Sequence, residues 1–104
     1  MHLFLCFVAN LFIKELEDVT LTTDQKLILA CELNAKGKNV KWYKTNGAIP
    51  YKATITNFKT ADSNAHRYQL EINLVKMEDA GEYRCHMENI ITSCNVTVKV
   101  CVLC

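Results

Sequence analysis

Seven residues, Asp79-Ala80-Gly81-Glu82-Tyr83-Arg84-Cys85, constrain this chain more than any other segment. They read D-x-G-x-Y-x-C. Gly81 supplies a tight turn, and Asp79 offers an acceptor to turn N–H groups that lack a ladder partner. Beyond the glycine, Tyr83 and Cys85 alternate onto one face of a strand. The tyrosine stands two residues before the cysteine, where its hydroxyl can bond back to nearby backbone. Upstream, Leu70-x-Ile72-x-x-Val75 places apolar side chains in a core beneath the turn.

The rest of the chain alternates with the same period of two. Leu27, Leu29, Cys31 and Leu33 share a face within Lys26–Leu33, and Val40 and Trp42 share one within Val40–Lys44. Asn46-Gly47 is a hairpin signal, because both residues tolerate positive φ. A β segment spans Ala53–Phe58, a polar loop Thr60–His66, and a further strand Tyr68–Leu74. Lys76–Gly81 makes one turn, and Glu82–Glu88 and Ser93–Val100 close the pattern. The first alternation runs from Leu11 to Leu21. Seven or eight short strands without an amphipathic helix predict an all-β antiparallel sandwich or barrel. At 104 residues the chain suffices for one domain. Half of it is apolar, which argues against disorder. A net charge of +1 removes the electrostatic basis for nucleic-acid binding and for a basic membrane-facing surface.

Cys31, Trp42 and Cys85 all fall on inward strand positions, in register with Asp79, Gly81 and Tyr83. At these residues the chain resembles the immunoglobulin superfamily, and more narrowly its I-set. Phe12-Ile13-Lys14-Glu15-Leu16-Glu17-Asp18-Val19-Thr20 is similar to the first strand pair of immunoglobulin domains in titin, obscurin, twitchin and myosin-binding protein C. Val40-Lys41-Trp42-Tyr43-Lys44-Thr45-Asn46-Gly47 is similar to their central strand and hairpin. The resemblance implies an immunoglobulin-like I-set antiparallel β-sandwich over residues 11–100, with a core signature of Trp42, Leu70, Asp79, Gly81 and Tyr83. An apolar extension over 1–10 and a stub over 101–104 flank it. The resemblance also implies that Cys31 and Cys85 face each other across the sheets. They would bridge in an oxidising compartment and remain two buried thiols in the cytosol. The chain departs from the family pattern in three ways. Thr92 replaces the glycine of an N-x-x-G turn at Asn89-Ile90-Ile91-Thr92, so that turn is expected to be strained or differently shaped. Asp24 stands where glycine is common, and the first strand lacks its usual preceding prolines.

No catalytic set emerges. Cys85 and His86 are adjacent on a strand and point to opposite faces, so they cannot act as nucleophile and base; His86 is expected to face solvent. Glu78 and Asp79 are neighbouring carboxylates with nothing to split their pKa values. Cys101-Val102-Leu103-Cys104 is a lone C-x-x-C with no second ligand pair to complete a zinc site, and it is a poor prenylation signal. Cofactors, metals and small-molecule substrates are therefore not expected. The apolar start is too short to span a membrane and lacks the basic flank of a secretory signal, so no membrane insertion is expected either.

Cys94, Val96, Val98 and Val100 alternate inward on the last strand, with Cys85 and Met87 on the neighbouring strand's same face. Cys94 is thus a core filler or a third redox cysteine that competes for Cys85. Asn95-Val96-Thr97 is a glycosylation sequon whose Asn95 faces outward, an acceptor if the chain is secreted. The resemblance implies a non-enzymatic structural and protein-binding module of a cytoplasmic, sarcomeric scaffold. Its partners would be proteins or neighbouring immunoglobulin and fibronectin-like domains, and tension would be borne by Val19–Thr22 against Val96–Val100. The alternative is a secreted or cell-surface adhesion or receptor module.

Overall fold

The computed structural model describes residues 12–61 and 65–101. The expected extension over 1–10 and the stub residues 102–104 lie outside the described residues. Eight strands form: β1 (Phe12–Lys14), β2 (Val19–Thr22), β3 (Leu27–Leu33), β4 (Val40–Lys44), β5 (Thr54–Lys59), β6 (His66–Ile72), β7 (Gly81–Met87) and β8 (Ile90–Lys99). They build two four-stranded sheets in the orders β1-β3-β6-β5 and β2-β8-β7-β4. All ladders are antiparallel except β2–β8, which is parallel.

Alternation decides the core. β3 buries Leu27, Leu29, Cys31 and Leu33, and β6 buries Tyr68, Leu70 and Ile72. On the facing sheet, Trp42, Tyr83, Cys85, Met87, Cys94, Val96 and Val98 complete one cluster. The first alternation divides in two: β1 pairs with β3 in one sheet, and β2 pairs with β8 in the other. Leu16, buried in the crossover between them, joins the core.

Two local expectations change. Asn46 adopts φ 70 and a single bridge joins Lys44 to Gly47, but no hairpin partner follows. The chain instead crosses to the other sheet, where β5 pairs with β6. At the last hairpin, Met87 pairs with Ile90, so the turn is Glu88-Asn89 and Ile90–Thr92 is already strand. Glu88 takes φ 52 there, a left-handed conformation costly for a residue with a Cβ. Asp24 also sits in that region at φ 71, which Asp tolerates.

Candidate functional site

Trp42 lies opposite Cys85 in the β4–β7 register and is 8% exposed. Cys31 and Cys85 are fully buried free thiols in hydrogen-bonding contact across the sheets. That hydrogen bond with Cys31, reinforced by burial, holds the Cys85 thiol far above its ordinary range. Fully buried, both sulfurs pack as small apolar groups in the core. Cys101, at the end of the described chain, is disulfide-bonded.

The turn before β7 is organised around Asp79, which is 1% exposed. A single 3₁₀ turn, Met77–Asp79, carries it inward. Its Oδ2 accepts the Lys76 N–H at 2.7 Å and pairs with Lys52 Nζ at 2.8 Å. The Tyr83 hydroxyl donates to the Asp79 carbonyl at 2.6 Å, closing the loop back onto its own strand. Burial, then the Asp79 charge, pushes the Tyr83 phenol well above the usual tyrosine range. Gly81, at φ 142, occupies a conformation that residues with a side chain rarely adopt. Leu70 is fully buried, opposite Leu29 in the β3–β6 register.

Cys94 is buried, opposite Tyr83 rather than Cys85 or Met87; Thr92 lies opposite Cys85 and Ile90 opposite Met87. The short Glu88-Asn89 turn sets this register. Burial pushes the Cys94 thiol up to about 11, with Asp18 and Glu82 adding to the shift. Asn95 is exposed on β8, and its backbone N–H donates to Asp18 Oδ1 at 2.8 Å.

Cys85 and His86 are not brought together, since Cys85 enters the core and His86 lies on the outer face of its sheet. His86 is not fully solvated, however. It is half-buried against Tyr43, with ring centroids 4.5 Å apart, and its Nε2 is buried without a hydrogen-bond partner among the described residues. A neighbour across the strand pair covers a side chain that alternation alone assigns to water. Among the described residues no cluster of three His, Cys, Asp or Glu could hold a metal, and no helix is long and apolar enough to cross a membrane. An open depression of about 410 Å³ lies between Lys44, Pro50, Tyr51 and Asp79, without a nucleophile–base arrangement.

The terminal strands form the most distinctive arrangement. β2 and β8 run parallel, pairing Val19 with Val96, Thr20 with Thr97, Leu21 with Val98 and Thr22 with Lys99. The Thr23 N–H extends the ladder to the Lys99 carbonyl at 2.9 Å. Force drawing the two ends of the domain apart slides these strands along each other and loads the bonds together. Local sequence pattern does not reveal Lys52, Asp18 or Thr92 as participants, because their partners are distant in the chain.

An immunoglobulin I-set domain model matches residues 10–102. The muscle M-line assembly protein unc-89 of Caenorhabditis elegans is 37% identical over 71 residues, covering 68% of this chain and 1% of that protein. Titin of Drosophila melanogaster is 36% identical over 88 residues, or 84% of this chain, and the match spans a still smaller share of its length. The chain thus corresponds to a small part of either relative. Titin domain M7 superposes with a TM-score of 0.67 at 23% identity, covering 86% of this chain and 93% of that one. The titin z1z2 domains in complex with telethonin give 0.72 at 18% identity, covering 88% and 48%. These two structures share the sandwich. With the domain model spanning nearly all of its residues, the chain belongs to the immunoglobulin I-set family.

Proposed function

We propose that this chain is a non-enzymatic, load-bearing and protein-binding immunoglobulin module of a titin- or unc-89-like muscle or cytoskeletal scaffold, working in the cytoplasm. The observation that carries this reading is the parallel β2–β8 pair, which places the bonds between the terminal strands in shear. The likeness to two giant muscle proteins supports it. Titin domains form a complex with telethonin, and by analogy this module would present its sheets to a protein or to adjoining domains.

The test is the fate of the tagged chain in cultured muscle cells. Retention in the cytoplasm with a sarcomeric pattern and an unmodified Asn95 is expected. Secretion with a glycan on Asn95 would overturn the reading in favour of an adhesion or receptor module.

A further inference from the structure

Thr92 occupies the position where the resemblance places the glycine of a turn, yet it is 3% exposed and sits within β8. Its hydroxyl is engaged twice. It accepts the Leu16 N–H at 3.0 Å, and it faces Glu15 Oε1 at 3.4 Å as donor. Three residues further along β8, the Asn95 N–H donates to Asp18 Oδ1 at 2.8 Å. Thus Glu15, Leu16 and Asp18, in the crossover between β1 and β2, are tied by side-chain bonds to Thr92 and Asn95 of β8. The backbone ladder begins only at Val19 and Val96.

From these contacts we propose that Thr92 and Asp18 form a side-chain latch that carries tension ahead of the β2–β8 ladder. The inference rests on the load-bearing reading above and adds the residues on which resistance depends. Pulling on the N-terminal side reaches β1 first, which holds β3 through only two register pairs, with a shift between them. Once β1 peels away, force enters at Glu15 and Leu16. The next bonds it meets are Leu16 to Thr92 and Asp18 to Asn95, and only then the ladder from Val19 to Thr22. Both latch bonds join the crossover to β8, the strand that carries force to the other end, and are therefore strained together with the ladder. A glycine at position 92 has no hydroxyl and could not make the first bond. The Glu15 carboxylate fixes the hydroxyl proton, leaving an oxygen lone pair for the Leu16 N–H.

The test holds the full chain by its two ends in an optical trap, with the Cys101 disulfide reduced, and compares the wild type with Thr92→Val, Thr92→Ser and Asp18→Ala. Unfolding rates in urea without force are measured alongside. Removing a buried or charge-assisted hydrogen bond should speed unfolding under load about five- to tenfold in Thr92→Val and in Asp18→Ala. Thr92→Ser keeps the hydroxyl and should stay near the wild-type rate. The change under load should exceed the change in urea, which a bond of merely structural weight would not produce. A resistant wild type whose variants unfold at its own rate, or whose rates change equally in urea and under load, overturns the latch alone. Should Thr92→Val fail to fold, Asp18→Ala and Thr92→Ser decide the case by the same comparison. A wild type that yields without resistance overturns the load-bearing reading, and the latch with it.

Discussion

Replacing Trp42 tests how the two sheets are held together. An aromatic side chain buries about 150–250 Å² on folding, which at about 25 cal/mol per Å² corresponds to about 4–6 kcal/mol of apolar burial. Trp42 retains 8% exposure, so nearly all of that contribution is realised. Against it stands the indole N–H, buried without an acceptor among the described residues, a cost of about 1–3 kcal/mol. Trp42→Ala loses the packing but also removes the stranded donor, and should destabilise the domain by about 3–5 kcal/mol. Trp42→Phe removes the same donor and keeps most of the ring volume, so its cost should stay below about 1.5 kcal/mol. Urea denaturation followed by far-UV circular dichroism reads both, with the m-value checking that the transition remains two-state. A loss under about 1 kcal/mol for Trp42→Ala, or equal losses in the two variants, would refute the reasoning.

The Asp79 corner offers a second test. Asp79→Ala strands the Lys76 N–H and the Lys52 ammonium and should cost about 2–4 kcal/mol, more than Lys52→Ala, because Lys52 is 38% exposed and its side of the pair is screened; equal costs in urea melts would contradict this. Glu88→Gly relieves a left-handed backbone in the last turn and should stabilise by about 0.5–1 kcal/mol, a gain that thermal melts would show and whose absence would count against strain there. For Cys94, the folded thiol titrates about 11 against an ordinary 9.0, so the stability it contributes is complete below pH 9 and declines as pH rises toward 11. Iodoacetamide at pH 8 should therefore label it only after unfolding; rapid labelling of the folded chain would place the thiol in water. Disulfide mapping after mild oxidation should return, besides the Cys101 bridge, Cys31–Cys85 peptides alone, since Cys94 faces Tyr83 across the ladder; a Cys85–Cys94 peptide would reveal exchange.

The period-two pattern made the interior legible because it is local. Leu27 to Leu33 fixes its own inward face, and so does Val96 with Val98, whatever strand lies beside them. Pairing across the sandwich is not local. Nothing around Asn46-Gly47 signals that β5 joins the other sheet, since a turn residue tolerates positive φ whether or not a hairpin follows. His86 shows the same limit at single-residue scale. Alternation correctly separates it from Cys85, but it contains no term for Tyr43, which arrives from another strand and covers the ring.

The last hairpin explains how the least regular segment of the sequence bears on the parallel pairing of β2 with β8. A turn at Glu88-Asn89 leaves Ile90 to Thr92 free to extend β8, and pairing Met87 with Ile90 fixes which residues of that strand point inward. Thr92 then falls on the buried face, opposite Cys85, where a hydroxyl must find partners or lose stability. The partners at hand are the Leu16 N–H and Glu15, in the segment where the chain leaves one sheet for the other and gives up its ladder bonds. The same register places Cys94 opposite Tyr83 and turns Asn95 outward, with its N–H toward Asp18. One short turn thus sets the depth of the third thiol, satisfies the crossover and ties it to β8.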